Sequence, residues 1–323
     1  MNEVGKLESK HDGAELHFGL EGRPDVSIIV RTYESEKFIG DALTSISNQD
    51  FVGSIEVVIN YPRGTKDNTI DRVYEFINSL AKSKKHNISV TIVSTRKMNA
   101  SEAFREDIRH ATGKYTATLD YDNVYTENKL SAQIGFMKAN GLHFSFTNYD
   151  MADINLNKIR FMLHKPGKDY RSFDSLLKKF FVDANTVVFD DRFKRLLFKA
   201  YDVIDPLPLY KDIFDDYLMG FIALFTGNLN LLEKSLVLYR VSGFNSSVLK
   251  GGEPKEVVFD RNVRLNAYVQ KTFAAFIRIN DRLHLTSKRL GMGSTLNLSS
   301  RPLKASFSRY GIVSSGRGSR ARR

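Results

Sequence analysis

The strongest constraint in this chain is an alternation of two periods. Val26-Ser27-Ile28-Ile29-Val30 is a short β-rich apolar run, and Phe38, Ile39, Ala42, Leu43 and Ile46 follow at helical spacing. The pair then repeats. Ile55–Ile59 is apolar and continuous, and Ile70, Val73, Phe76, Ile77 and Leu80 are helically spaced. Ile88–Val93 is a third strand, Ser101–Ala111 a third helix with Gly113 as its C-terminal stop, and Tyr115–Leu119 a fourth strand. This βαβαβαβ order predicts an α/β fold with a mostly parallel central sheet and helices on both faces. Ligands of such sheets bind beyond the carboxyl ends of the strands. Asp120 and Asp122 fall at that end of the fourth strand.

Further along, the pattern predicts a helix over Glu127–Ala139, a strand over Leu142–Asn148 and a hairpin over Met151–Lys165 with Asn155-Leu156-Asn157 near its tip. Strands are expected at Asn185–Phe189 and Asn230–Tyr239, and a helix at Ile213–Phe225. From Lys255 to about Arg289 the pattern is helical and basic, and beyond it Ser, Gly and Arg dominate. The expected organisation is an N-terminal extension (1–24), a catalytic domain (25–248), a basic helical extension (249–300) and an Arg/Ser/Gly-rich tail without fixed structure (301–323).

Several acidic pairs are candidates for chemistry. Asp120-Tyr121-Asp122 can hold a hard divalent cation, Mn²⁺ or Mg²⁺, between protein and a diphosphate, because such ions prefer oxygen ligands and accept substrate phosphates. The competing reading is a polar turn after a buried strand. Asp215-Asp216 opens a helix, where acidic residues stabilise the dipole. A general base that takes a proton from an acceptor hydroxyl is the functional alternative. Asp67-Asn68-Thr69 fits a helix cap. Arg31 and Arg63, at the ends of the first two strands, suit a phosphate or a solvated surface equally. His110 and His164 read as structural or exposed. The chain has no G-x-G-x-x-G after its first strand and no G-x-x-x-x-G-K-[ST] loop, so dehydrogenase and ATPase readings lose support.

Taken together, these segments resemble glycosyltransferase family two. Val26 to Glu34 is similar to that family's opening VSIIVPTYN. Glu56–Ile59 with Gly64–Thr69 resembles EIIVVDDGSTDNT, and Ala111–Tyr115 through Leu119–Asn123 resembles ATGEYIAFLDADD. Asp215-Asp216-Tyr217 matches the ED motif, and Tyr239–Ser247 the YRVHGGNSS ending. The resemblance covers roughly residues 25–248. It implies a GT-A, Rossmann-like catalytic fold with a C-terminal helical basic tail, and transfer with inversion at the anomeric carbon. By the same resemblance Asp122 binds the metal, Asp120 helps hold the ribose and the metal shell, and Asp216, with Asp215 beside it, is the base candidate. Thr32, Tyr33 and Glu34 would line the nucleotide pocket; Arg63 and Asp67, after the second strand, are candidates for the same pocket by their position.

The chain also departs from the family pattern. Pro62-Arg63 stands where the family has paired Asp, Arg31 where it has Pro, Ser242 where it has His, and Ile222 where Arg often follows the ED motif. UDP is therefore a default donor nucleotide. A catalytically weakened nucleotide-sugar-binding or scaffold protein of the same fold is the alternative reading. The Gln-x-x-Arg-Trp motif of processive synthases is absent, since the chain has no Trp, which favours transfer of one sugar to a glycan or lipid-linked acceptor in cell-surface polysaccharide synthesis.

Charge and composition bear on partners. The net charge is +11, and residues 249–323 alone carry 16 Lys/Arg against 4 Asp/Glu. Uneven basic charge suggests a polyanion. A basic amphipathic helix can lie on an anionic membrane surface, or it can pack on the catalytic domain or a second copy in a homo-oligomer. Nucleic acid is the weaker partner, because the tail interleaves few aromatics and the first 248 residues are near neutral. There is no Cys, and no apolar run approaches the roughly 18 residues a membrane span needs. The expected location is cytoplasmic, with peripheral membrane contact through the tail.

Overall fold

The computed structural model describes residues 14–19, 22–83, 87–160, 182–206, 215–241 and helical residues 275, 278, 279, 282 and 283. The strands are β1 (Ala14–Phe18), β2 (Val26–Arg31), β3 (Ile55–Pro62), β4 (Ile88–Thr95), β5 (Tyr115–Asp120), β6 (Val124–Tyr125), β7 (Phe144–Ala152), β8 (Lys158–Arg160), β9 (Val188–Asp190) and β10 (Leu231–Arg240). The helices are α1 (Ile39–Ser47), α2 (Thr69–Ser83), α3 (Ala100–His110), α4 (Lys129–Asn140), α5 (Asp191–Ile204) and α6 (Asp215–Phe225). The strands form one sheet in the order β1-β4-β3-β2-β5-β9-β7-β10-β6, with β8 beside β7. The expected mostly parallel centre is present: β4, β3, β2 and β5 are parallel neighbours.

Strand side chains point alternately to the two faces, and both faces are covered. Ile28, Val30, Val57, Ile59, Val90 and Ile92 pack under α1, α2 and α4. Ile29, Val58 and Val93 pack on the other side with Phe104 and Ile108 of α3, Leu197 and Tyr201 of α5, and Leu218 and Phe221 of α6. Continuous apolar runs in β2, β3 and β4 are what two-sided burial requires.

The structure adds to and corrects the expected elements. Residues 14–18 of the N-terminal extension form an edge strand antiparallel to β4. Its alternation leaves Glu15 and His17 exposed, while Leu16 and Phe18 pack toward the core. The strand expected from Asn185 begins instead at Val188, because residues 184–186 form a 3₁₀ turn whose Asp183 side chain accepts from Asn185 N–H. An unexpected helix, α5, follows, capped by Asp190, whose carboxylate accepts from the N–H groups of Arg192 and Phe193. His110 is structural, paired with Glu15 of β1 and, at 3.3 Å, with Glu106. The expected hairpin is present as β7 paired with β8, with its tip at Asn155-Leu156-Asn157; His164 and the rest of residues 161–165 lie outside the described residues, as does most of 242–323.

Of the basic extension, Ala275 and Ile279 are buried against the α5/α6 cluster with Leu283 beside them, whereas Arg278 and Arg282 are exposed. The described apolar side chains of this segment, Ala275, Ile279 and Leu283, therefore pack on the catalytic core. No helix among the described residues is long and apolar enough to cross a membrane.

Gly113 is also corrected. Helix α3 ends at His110 with Ala111 as an extended C-cap, and Gly113 is not in the left-handed region. Gly is required there by close approach: a Cβ would lie 2.5 Å from Ser27 N and 2.8 Å from Val26 C, both main chain. Its N–H donates to Ser27 Oγ at 2.7 Å. Gly113→Ala is expected to destabilise by about 1–3 kcal/mol, the usual range for overpacking. Urea unfolding should show a lower midpoint at unchanged slope; an unchanged midpoint would mean that β2 yields.

Candidate active site

Parallel pairing puts the carboxyl ends of β2, β3, β4 and β5 on one edge of the sheet. Arg31 and Asp120 are register partners there. Arg31 Nη2 donates to Asp120 Oδ1 at 2.5 Å, and the guanidinium lies 5.7 Å from the Phe104 ring centroid. Burial works against the Arg31 charge, but the Asp120 charge and hydrogen bond outweigh it and push the group up. Arg31 is thus engaged with a protein carboxylate.

Beyond β5, Asp122 is partly buried, and its side chain is pushed up to about 6 by burial and then by the Asp120 charge. Arg240 holds the main chain here. Its Nε donates to Asp122 O at 2.8 Å, Nη1 to Ile154 O at 2.5 Å and Nη2 to Asp41 Oδ2 at 2.6 Å. Its backbone N–H donates to Asn123 Oδ1 at 2.9 Å. The guanidinium stacks on Phe38, 4.4 Å from the ring centroid. Arg240 ties β10, α1, the β7–β8 hairpin and the Asp122 turn into one unit.

Helix α6 brings Asp215 and Asp216 to the same edge, and their surroundings differ. Asp215 is buried, accepts from Tyr201 OH at 2.8 Å and lies 3.6 Å from Arg105 Nε. Burial pushes it up to about 6 against the opposing Arg105 charge. Asp216 is partly exposed and accepts from Tyr217 N–H at 2.8 Å. Burial, followed by the charge of Asp183, pushes it up to about 8. Asp183 is pushed up to about 6 by burial, with Asp120 adding to the rise against the Asn185 hydrogen bond. Asp183 also raises Asp122. The strand-end pair and the helix-start pair therefore share one electrostatic neighbourhood.

The β2–α1 loop carries the other expected residues. Thr32 is buried, and its hydroxyl donates to Asn60 O at 2.5 Å. Tyr33 is exposed, with Lys97 Nζ donating to its hydroxyl at 2.6 Å. Glu34 is exposed and has φ of 48°, a left-handed conformation that non-glycine residues adopt only when their surroundings impose it. Those surroundings are Ser35 Oγ, which accepts from Tyr33 N–H at 2.8 Å, and Thr69 Oγ1, which accepts from Ser35 N–H at 2.7 Å. Asp67 braces the loop. It accepts from Glu36 N–H at 2.9 Å, Thr69 N–H at 3.1 Å and Thr69 Oγ1 at 2.6 Å. Arg63 begins the next loop, its N–H donating to Thr95 O at 2.7 Å.

Residues 27–203, more than half of the chain, match the family described as Glycosyl transferase family 2. The chain belongs to glycosyl transferase family 2. WfgD of Escherichia coli, a UDP-Glc:alpha-D-GlcNAc-diphosphoundecaprenol beta-1,3-glucosyltransferase, is 30% identical over 165 residues, 51% of this chain and 60% of that protein. TuaG of Bacillus subtilis, named for teichuronic acid biosynthesis, is 26% identical over 52% of this chain and 63% of its own length. The chain thus spans less than two-thirds of these relatives. The S. aureus TarS 1-349 structure in complex with UDP superposes with a TM-score of 0.52 at 18% identity, covering 85% of this chain and 76% of that one. A likeness at that identity carries the fold, which is GT-A.

As a family 2 chain, its departures have visible settings. Ile222, where the family often has Arg, is fully buried in the core. Arg31, where it has Pro, pairs with Asp120. Ser242 lies outside the described residues. Sequence reasoning missed Asp183, Asn185, Lys97 and Arg105. For Asn185 a signal existed: Asp183-Ala184-Asn185 is turn chemistry placed just before a β-rich run.

The raised carboxylates make a stability prediction. A carboxyl group pushed up on folding binds protons in the folded state that the unfolded state releases. Its stabilising contribution is complete below the unfolded value near 4 and is lost as pH rises through the folded value. For Asp216 that window runs up to about 8. The melting temperature of the ligand-free protein should fall between pH 5 and pH 8.5. Asp216→Asn should melt higher than the parent at pH 8 and fall less steeply; equal slopes would show that Asp216 keeps an ordinary carboxylate affinity for protons.

Proposed function

We propose that this chain transfers one sugar, with inversion, from a nucleoside-diphosphate sugar to a hydroxyl of a glycan or lipid-linked acceptor. The observation that carries this reading is the electrostatic neighbourhood that Asp120 and Asp122, at and just past the end of β5, share with Asp216, at the start of α6, through Asp183. UDP is the donor nucleotide to try first, supported by the relatives' names and by the UDP-bound neighbour.

In this reading Tyr33, Glu34, Arg63 and Asp67 line the nucleotide pocket with Thr32. Asp120 faces the ribose, and Asp216 takes the proton from the acceptor hydroxyl as that oxygen attacks the anomeric carbon. A carboxyl raised to about 8 has the proton affinity a general base needs, and Asp216, partly exposed, is the member of its pair with access to an acceptor. Asp215 is held by Tyr201 and Arg105, so its part is to fix the start of α6.

Among the described residues no three His, Asp or Glu side chains converge as a ready metal cage. The donor set still suits Mn²⁺ or Mg²⁺, because such ions at nucleotide sites take one or two carboxylates plus substrate phosphates. Asp122, with Asp120 near it, would hold the cation. When bound, the cation offsets charge on the leaving nucleoside diphosphate.

Two variants test the assignment. Asp122→Ala should abolish the Mn²⁺-dependent tightening of UDP seen by calorimetry and leave the fold intact. The metal assignment fails if the tightening survives. Asp216→Asn should bind donor normally and lose about 10²-fold or more in turnover, within the usual worth of a general base. If both Asp216→Asn and Asp215→Asn keep near-parental transfer, the pair is only a helix cap.

A further inference from the structure

Asp120 is gripped from two sides. On one side is Arg31, at 2.5 Å from Oδ1. On the other, Asn185 Nδ2 donates to Oδ2 at 3.0 Å, while Asp120 N–H donates to Asn185 Oδ1 at 2.6 Å. One amide side chain thus fixes both the carboxylate and the main chain of the same residue. Asparagine is suited to this because its head offers donors and an acceptor together.

Asn185 is itself immobilised. It is 2% exposed, and both its N–H and its Nδ2 donate to Asp183 Oδ1 at 2.9 Å. Thr118 Oγ1 of β5 donates to Ala184 O. From α4, Lys129 Nζ and Gln133 Nε2 each donate to Thr186 O at 3.0 Å. Burial holds Lys129 well below the usual lysine range. The 3₁₀ turn is thereby bolted to β5 and to α4. The Arg31–Asp120 pair, with side chains 22% and 32% exposed, holds Oδ1, and Asn185 holds Oδ2.

We propose that Asn185 is a positioning residue that, with Arg31, locks the rotamer and main chain of Asp120 so that this carboxylate presents one orientation to a bound nucleotide. The proposal rests on the reading of Asp120 as part of the nucleotide-binding edge. It gives the turn before β9 a part in donor binding without placing any of its side chains on the substrate.

The test is a double-mutant cycle on parental protein, Asn185→Ala, Asp120→Ala and the double variant, with Asn185→Asp as an isosteric control. UDP affinity in Mn²⁺ is read by calorimetry and unfolding by thermal melts without ligand. Asn185→Ala should weaken UDP by about tenfold or more, the worth of a hydrogen bond to a charged group. Asn185→Asp keeps the shape, removes the donor and places a third carboxylate beside Asp120 and Asp183; it should weaken UDP at least as much. The double variant should bind no worse than Asp120→Ala, because Asn185 acts only through Asp120. Additive losses in UDP affinity, or parental affinity in Asn185→Asp, would overturn the proposal. The melts separate this from the wider reading: non-additive melting shows the grip on Asp120 even if no nucleoside diphosphate binds, in which case the donor reading falls and the grip stands. Additive melting removes the grip itself.

Discussion

The structure depends on β2 being paired in parallel with β3 on one side and β5 on the other. That arrangement forces the loops after all three strands onto one edge. It also demands crossover helices on both faces, which is why Ile28 and Ile29 belong to different cores. The crowding at the opposite end shows how tight the pairing is. Glu56 of β3 is buried and accepts from Ser27 Oγ of β2 at 2.5 Å and from Thr112 N–H at 3.0 Å. Gly113 then passes so close to Ser27 that no side chain fits. A buried carboxylate is tolerated there because its oxygens are met by donors from neighbouring segments.

Parallel pairing places Asp120 at the carboxyl edge of the strands, but it does not place Asp122, which lies past the last β5 pair. Arg240 does that. Three donors of its side chain reach three segments, and its flat face lies on Phe38. A lysine offers one charged point on a flexible stem and does not reproduce that fork. In the second half of the sheet, β10 runs parallel to β7 and carries this residue at its carboxyl end.

Legibility in the sequence followed the range of the interactions. Apart from the two-residue strand β6, the elements from β2 to α4 were readable because their signals are local: apolar runs, helical spacing and a strand-end Asp-x-Asp. Edge strand β1 carried a readable alternation at Ala14-Glu15-Leu16-His17-Phe18, and α5 a readable stripe at Phe193, Leu197, Ala200, Tyr201 and Ile204, yet neither was expected. Asn185 was hidden for a different reason. The β-rich run Val187-Val188-Phe189 extends the apparent strand backward over a turn whose purpose appears only against Asp120, 65 residues earlier. Arg240 was legible as a motif letter and illegible as a tie, since its partners Asp122 and Asp41 lie 118 and 199 residues away.

The site's acidity follows from the same geometry. Asp120, Asp122, Asp183, Asp215 and Asp216 share one electrostatic neighbourhood where strand ends and a helix start meet, and burial raises Asp122, Asp183, Asp215 and Asp216. Carboxylates so placed repel one another, and the fold offsets this with fixed cations: Arg31 on Asp120, Arg105 on Asp215 and Arg240 across the Asp122 turn. Arg31 also lowers Asp183, Asp215 and Asp216, so it belongs to both halves of the cluster. A proline at position 31 supplies no charge. With Arg31 there, the cluster holds a cation of its own before any ligand arrives. The departure from the family pattern at this position is therefore an electrostatic feature of the site, and it makes Asp120 a carboxylate whose first partner is the protein.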